Sequence, residues 1–342
     1  MKERNALAIT GLGLEMAWTA SLQDMYAMLQ CSDPLPGNNF QPENTLGKRG
    51  LRYKDPATQM ALCASHRALH DAGFTVTSAD RTAPYGFGVA TSSNMGNIET
   101  ICTVLNTIRK EGACHTSPMA LPICSANIIA SDIAIRFGLK GINLTICNGG
   151  TSGIDALYLA SVAIRAGRAE RILVVGVEPY NNIVEQLARD SSGAHHRWIV
   201  HGQGAGAMVV ESLCAARRRD AQIYGVIGRF SLQTGPEFES ARIFKAVTDD
   251  GSPWLWLIPN TKFPSANAYV ETTRRNLPGE LPVMMDVSAR FDELYGALGI
   301  IQCIVACMWF QQDQGSKAIA SSGLSYGASV SSVELSAAPE VN

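Results

Sequence analysis

No C-x-x-C pair or other paired cysteine spacing occurs in the chain, although its 342 residues include nine cysteines. An odd, unpaired set of thiols argues against a disulfide framework and a metal site, and for reduced cysteines in a cytoplasm. Neither sign of charge is in excess, and the formal net charge of −2 gives no attraction to nucleic acid. No apolar run reaches the ~20 residues needed to span a bilayer. The longest, Gly296 to Phe310, is broken by Gln302 and reads as a buried core helix. At the start, MKERNALAITGLG carries a few charges and then a β-type run too brief for a secretory h-region. Histidine is missing from the last third, all six lying at or before His201. What remains is a protein of 46% apolar content, large enough for one big core or two fused ones, with no pattern that calls for a cofactor.

The most informative stretch runs from Gly141 to Glu178, GINLTICNGGTSGIDALYLASVAIRAGRAERILVVGVE. It reads as a strand (Asn143 to Ile146), a sharp turn at Cys147-Asn148-Gly149-Gly150, an amphipathic helix from about Thr151 to Ala166, and a second buried strand (Ile172 to Val177). Ile154, Leu157, Ser161 and Ile164 fall on one helical face. Thr151 and Ser152 are placed to satisfy free N–H groups at its start, and Gly167 suits the position just past its end. One cysteine therefore sits on a strand-to-helix elbow, near the positive end of a helix. A free cysteine of pKa roughly 8.5 is only a few per cent thiolate at neutral pH, and a helix N-terminus raises that fraction. The two glycines let backbone approach the sulfur closely. On spacing alone, Cys147 is either a nucleophile or a buried structural cysteine.

Elsewhere strands alternate with helices, which predicts a layered α/β architecture. Residues 6 to 30 give a strand and then a helix holding Leu22, Met25, Tyr26 and Leu29. Ser32 to Gly47, rich in Pro, Asn and Gly, reads as a loop. Asp55 to Asp71 is helical and stops at Ala72-Gly73, Gly86 to Thr91 is a short buried strand, and Gln222 to Ile227 opens a second half with another strand.

The elbow TICNGGTSGIDAL resembles the nucleophile motif of β-ketoacyl synthases, members of the thiolase-fold superfamily. Ala8-Ile9-Thr10-Gly11-Leu12-Gly13 resembles that family's opening strand and turn, and Gly47 to Phe74 its first long helix with the approach to it. Ser117 to Gly141 is similar to the segment before the active cysteine. His201-Gly202-Gln203-Gly204-Ala205-Gly206, with the apolar run to Glu211, resembles the closing strand of the first half. Nearly all of the first 212 residues are covered. The resemblance implies an α/β, thiolase-like fold of two pseudo-repeated βαβ halves in a layered αβαβα sandwich. Residues 1–212 would form the half carrying Cys147, and 213–342 a shortened, degenerate half with the loss between Gln222 and Trp254. In the family, the region matching Ala120 to Phe137 lies along the dimer interface and lines the partner's acyl pocket. Ile128, Ile129 and Ile133 are therefore either interface residues or one helix's core face. Arg217 to Arg219 are either a docking cluster for an acidic acyl carrier protein or a solvated linker between the halves.

A condensing synthase of this family holds the acyl chain on its cysteine. Two histidines and a nearby lysine decarboxylate the malonyl extender and stabilise the enolate oxygen. Both histidines come from the second half, where this chain has none. The family's Asn-Ala-His-Gly-Thr segment corresponds to Ile258-Pro259-Asn260-Thr261-Lys262, placing Asn260 at the first histidine. Its Lys-x-x-x-Gly-His, followed by Leu-x-Gly-Ala-x-Gly, fits SARFDELYGALG from Ser288 to Gly299. Glu293 then stands at the second histidine, Asp292 at the glycine and Ser288 at the lysine. An ionised Glu293 within about 4–6 Å repels both an enolate and a Cys147 thiolate, holding the cysteine as a thiol. A Glu293 kept protonated by burial can instead donate a hydrogen bond. Asn260 can donate one but cannot shuttle a proton. Leu324-Ser325-Tyr326-Gly327-Ala328-Ser329 resembles the family's Phe-Gly-Phe-Gly-Gly turn, with Tyr326 at the gating phenylalanine.

A β-ketoacyl synthase fold without its decarboxylation machinery resembles the chain-length factors of type II polyketide synthases. That implies a heterodimer with an active ketosynthase, service by an acyl carrier protein, no contact with membrane or nucleic acid, and a part in polyketide or polyene synthesis through the shape of the acyl tunnel. The retained Cys147 departs from the better-known chain-length factors, which often carry glutamine there. Two other classes stay open. One is a Cys147-dependent acyltransferase or atypical ketosynthase acting as a homodimer, with Glu293 and Asn260 as a replacement pair. The other is a homodimeric scaffold for carrier proteins.

Overall fold

A computed structural model describes residues 6–75, 86–191, 200–235, 243–244, 253–277 and 279–338. The strands are β1 (Leu7–Met16), β2 (Phe87–Ser92), β3 (Asn143–Ile146), β4 (Arg171–Glu178), β5 (Gly204–Ser212), β6 (Gly225–Thr234), β7 (Trp254–Leu257), β8 (Val283–Met285), β9 (Lys317–Gly323) and β10 (Ser329–Ser336). The α-helices are α1 (Leu22–Gln30), α2 (Pro42–Leu46), α3 (Pro56–Asp71), α4 (Ile98–Glu111), α5 (Ile128–Phe137), α6 (Ser152–Arg165), α7 (Asn182–Ser191), α8 (Leu213–Arg218), α9 (Pro264–Arg275), α10 (Val287–Phe291) and α11 (Leu298–Gln311).

All ten strands join one mixed sheet in the order β3-β2-β4-β5-β1-β6-β10-β9-β7-β8. Outward from its middle, β1-β5-β4-β2-β3 and β6-β10-β9-β7-β8 repeat one order. Each set pairs antiparallel in its inner two ladders and parallel in its outer two. The sets meet where Leu7, Ala8 and Ile9 of β1 pair with Ile227, Val226 and Gly225 of β6. Helices α6 and α11 pack on each other between the two sets. Helices α3 and α5 cover the far side of the first set, and α9 packs against Trp254 and Trp256 on the far side of the second. β4 displays the consequence for sequence. Ile172 and Val174 join the core shared with α6 and α11, whereas Leu173, Val175 and Val177 join the core shared with α3 and α5. A strand buried on both faces reads as a continuous apolar run, as Ile172 to Val177 does.

The central helix α11 is buried from Leu298 through Phe310. A helix apolar on every side is what a central layer requires. Its one polar interruption, Gln302, is fully buried and donates from Nε2 to Ile258 O and Ser321 O, each at 2.9 Å. Gln302 thus ties the end of β7, just before Asn260, to β9. Among the described residues no helix is long and apolar enough to cross a membrane.

Several boundaries differ from the sequence reading. The stretch from Ser32 to Gly47 contains the short helix α2, started by Pro42 at a position where a missing N–H is harmless. The second half's first strand begins at Gly225, not Gln222, because the chain turns at Arg219 and Asp220 after α8 and residues 221–224 only lead into it. Gly11 and Gly13 lie inside β1 and not in a turn. A Cβ on Gly13 would stand 2.1 Å from Ala64 O, and one on Gly11 2.3 Å from Ala68 O, so these glycines let α3 lie directly on the strand. The shortening expected between Gln222 and Trp254 falls partly on residues outside those described.

Gly13→Val should therefore force β1 and α3 apart and destabilise the protein by about 3 kcal/mol, read from the shift of its denaturant midpoint. An unchanged midpoint would show that the close approach is not needed.

Candidate functional site

The elbow forms because β3 ends at the sheet's edge and the chain reverses into α6 through a short 3-10 turn at Gly149–Thr151. Gly149 adopts φ +70, a region glycine enters without strain. Thr151 and Ser152 do not cap free N–H groups of the helix as the spacing suggests; they lock the turn. Ser152 Oγ accepts from Asn148 N at 2.6 Å and donates to Gly149 O at 2.8 Å, and Thr151 Oγ1 donates to Asp155 Oδ2 at 2.7 Å. Asn94, from the turn after β2, grips Gly149 on both sides. Its Oδ1 accepts from Gly149 N at 2.9 Å and its Nδ2 donates to Gly149 O at 3.2 Å.

Cys147 Sγ donates to Ser93 O at 2.9 Å. The residue as a whole is exposed in the isolated chain, yet its sulfur lies against this carbonyl. Desolvation, and then the Glu178 carboxyl, push the thiol's pKa up. Burial and Glu178 thus favour the thiol form of Cys147, and the carboxyl that adds to the rise is Glu178, not Glu293.

Glu178, the last residue of β4, is buried. Its Oε1 accepts from Asn94 N (2.7 Å), Asn94 Nδ2 (3.0 Å) and Gly296 N (3.2 Å), and its Oε2 from Met95 N (2.9 Å). Burial nevertheless outweighs these donors and lifts its pKa to about 7. Nothing at the end of an apolar strand marks Glu178 in the sequence; only the meeting of β2, β4 and the segment before α11 gives it partners.

The second-half residues do come together. Asn260 and Glu293 are fully buried, and Asn260 Nδ2 donates to Glu293 Oε2 at 2.5 Å. Glu293 Oε1 accepts from Tyr295 N at 2.7 Å, and Asn260 Oδ1 accepts from Lys262 N at 3.0 Å. Burial pushes Glu293 up to about 7, with Asp286 and Glu178 adding to the rise. Of the two states open to Glu293, burial therefore favours the protonated one over much of the acid range. Ser288 is buried in α10, and its hydroxyl has no hydrogen-bond partner among the described residues. Asp292 has φ 60 and ψ −171, a conformation natural only to glycine. That agrees with its placement opposite a family glycine.

Two further residues escape the sequence reading. Val200 and Gly202 flank His201 and bond the backbone of Glu293, at 3.0 Å through Val200 O and 2.9 Å through Gly202 N. His201 is buried, its pKa pushed down to about 4 by that burial, so its ring is neutral at pH 7. Its Nε2 lies 2.9 Å from Tyr326 Oη, and the two rings stack with centroids 5.9 Å apart. Tyr326 also meets Phe263 and Tyr295 edge-on, at 5.1 Å and 5.7 Å. Tyr295 occupies an unspecified position of the family motif, has φ 42, and puts its hydroxyl 3.4 Å from where a Gly149 Cβ would be. Burial and the two carboxyls lift its pKa to about 12. An imidazole and two phenols thus stand near Glu293.

Ile129 and Ile133 are buried in the chain's own core with α3, and Ile128 packs at its margin. The core-face alternative therefore holds for Ile129 and Ile133, and the exposed isoleucine of α5 is Ile135. In the Arg217 to Arg219 cluster, Arg219 is engaged within the first half. It pairs with buried Glu211, donates to Ala72 O at 2.7 Å and covers the Phe74 ring.

A strand-to-helix elbow cysteine set in a duplicated, five-layered α/β sandwich defines the thiolase-like fold. Residues 37–216, more than half of the chain, match the family model of the β-ketoacyl synthase N-terminal domain, and the chain belongs to the β-ketoacyl synthase family. It is 28% identical over 277 residues to 3-oxoacyl-[acyl-carrier-protein] synthase 2 of Rhizobium meliloti (strain 1021), covering 70% of this chain and 64% of that protein. To the enzyme of the same name from Vibrio cholerae it is 27% identical, covering 56% of this chain and 50% of that one. The matches thus span between half and two thirds of these curated relatives. Among solved structures, the ishigamide ketosynthase/chain length factor superposes with a TM-score of 0.80 at 20% identity, covering 98% of this chain and 100% of that one. The type II polyketide complex AntDE:AntF gives 0.82 at 15% identity, with the same coverage. At such identities these structures establish the fold alone.

Two predictions arise from the site. Glu293 has a folded pKa near 7 against 4.5 unfolded, so its stabilising contribution is complete below about 4.5 and is lost as pH rises through about 7. Unfolding free energy, followed from about pH 5 to about pH 8, should therefore fall less steeply in Glu293→Gln, by on the order of 1–3 kcal/mol across the interval. Parallel profiles would mean that Glu293 is ionised throughout. Separately, Asp292→Gly should stabilise the protein by about 1 kcal/mol by relieving the strained backbone, checked by thermal or denaturant melting.

Proposed function

We propose that this chain is a non-catalytic, chain-length-factor-like subunit that pairs with an active β-ketoacyl synthase and shapes the acyl tunnel of a type II polyketide or polyene synthase. One observation carries the reading: Asn260 and Glu293, which the resemblance sets opposite the family's two histidines, are buried and bonded to each other. Decarboxylative condensation needs an imidazole N–H directed at the developing enolate oxygen. Here one position offers an amide already spent on Glu293, and the other a carboxyl whose ionised form would repel that oxygen. Ser288, which the resemblance sets at the family's lysine, carries no charge, and Lys262, the lysine next to Asn260, is paired with Asp292 at 3.1 Å. The thiol has a raised pKa and donates to a backbone carbonyl, with no base in contact among the described residues.

Exposed surface supports the pairing. β3 is an edge strand of the sheet, with one side of its backbone unpaired. The helices packed on it carry exposed apolar side chains, Leu159 and Val162 on α6 and Ile135 on α5, with Met119 and Leu121 in the segment leading to α5. A partner chain laid along this edge would cover them and the open side of Cys147. The fold shared with a ketosynthase/chain length factor supports the same role. The AntDE:AntF structure, an acyl-carrier protein in complex with its ketosynthase, supports an acyl carrier protein as the third member.

Native mass spectrometry of the protein isolated gently from its producing cells tests this reading. The expected result is a one-to-one complex with a second synthase-like chain that alone carries acyl mass. In that complex, Cys147→Ala should leave product formation largely unchanged. A homodimer bearing an acyl adduct on Cys147 would instead establish a Cys147-dependent acyltransferase.

A further inference from the structure

Away from the elbow lies a cavity of about 750 Å³, bounded by the loop after α2, the outer face of α3 and the exposed side of α5. Its size falls in the range of small-molecule sites and far exceeds what a simple ion needs. Four cationic side chains line it, Lys48, Arg49, Lys54 and Arg136, together with the imidazoles of His66 and His70. A single carboxylate, Asp132, shares the lining, and it is already paired with Lys54 at 2.5 Å. This concentration of positive charge stands on a chain whose formal net charge is −2.

The cationic groups are of two kinds. Arg136 is built into the wall, donating to Leu46 O at 2.5 Å and Arg49 O at 3.3 Å, which pins the loop carrying Lys48 and Arg49 against α5. Lys48 and Arg49 themselves form no ion pair among the described residues. His66 and His70 sit one turn apart on α3, their rings stacked with centroids 6.5 Å apart. Burial first, and then the charges of His70, Arg67 and Arg136, lower the pKa of His66. Leu69 and Ile135 give the cavity an apolar wall beside this charge.

We infer that this cavity binds a phosphorylated small molecule of roughly nucleotide size. Phosphate is the anion matched by the Arg49 guanidinium, the Lys48 ammonium and the imidazoles of His66 and His70 that line this one cavity. The remaining volume and the Leu69 and Ile135 wall accommodate an organic body attached to it. The site is remote in sequence from Cys147, Asn260 and Glu293, and it stands or falls independently of the chain-length-factor reading.

Isothermal titration at low ionic strength tests it on the intact protein, with inorganic pyrophosphate and ADP as probes and citrate as a multivalent anion without phosphorus. Saturable one-site binding of ADP, tighter than citrate and weakened by added salt, is expected. The double variant Lys48→Glu/Arg49→Glu should weaken ADP binding about tenfold or more, whereas the exposed-charge control Arg275→Glu should leave it within about twofold. Both positions are exposed, and circular dichroism confirms that each variant is folded. Absence of saturable binding, equal affinity for citrate and ADP, or an equal loss in Arg275→Glu would overturn the proposal. So would binding of an acidic carrier protein that Lys48→Glu/Arg49→Glu abolishes while neither ADP nor pyrophosphate binds, since the basic lining would then be a protein-docking surface.

Discussion

Four hydrogen bonds converge on the carboxyl of Glu178, and they join parts of the chain that lie far apart in sequence. Asn94 and Met95 come from the turn after β2, Gly296 from the segment before α11, and Glu178 itself from the end of β4. Asn94 in turn holds Gly149, so the shape of the cysteine elbow depends on this buried acid. The carboxyl is satisfied by dipoles without a countercharge, and desolvation therefore dominates its titration. Without it, three backbone N–H groups and an amide would lose their acceptor, each loss costing about 1–3 kcal/mol.

The same logic of desolvation without countercharge governs the rest of the site. Glu293 is buried against Asn260 and the Tyr295 N–H, and among the described residues no basic side chain touches either carboxyl. Two buried acids with pKa values near 7 influence one another and the groups around them. Burial first, and then Glu178, push the Cys147 thiol upward, and burial first, then both carboxyls, push up the Tyr295 phenol. An active condensing site needs the opposite bias, toward a thiolate and toward donors for an enolate oxygen. The neutral imidazole of His201 does not restore it, since its Nε2 is occupied by Tyr326 and burial opposes its protonation.

Duplication shapes how the two halves contribute. Both five-strand sets follow one order and one sense, and α6 and α11 fill the space between them. Asn260 follows β7 as the Ser93–Asn94 turn follows β2, so residues at equivalent ends of the repeat face a common centre. Gln302 keeps this geometry on the second side by fastening Ile258 to β9 from within an otherwise apolar helix.

Much of this was legible in the residues themselves. The β-run, the CNGG turn and the apolar helical face located the elbow because each is a local pattern, set by strand and helix periodicity and by glycine's freedom at Gly149. The SARFDELYGALG match set Glu293, and the Ile258 to Lys262 segment set Asn260, opposite the family's histidines, and the fold brings the two into contact. What the sequence could not reveal was which side chains gather around those positions. Glu178, His201 and Tyr295 belong to segments that read as an apolar strand end, a glycine-rich strand and an unspecified motif position; their roles come from long-range pairing. Ile129 and Ile133 turned inward for a related reason, since periodicity defines an apolar face but not which neighbour covers it. Local sequence determined the elements and the elbow, because backbone propensity and patterning act over a few residues. Tertiary structure alone decided the electrostatics of the site, because desolvation and proximity depend on chain segments brought together only when the two halves fold against each other.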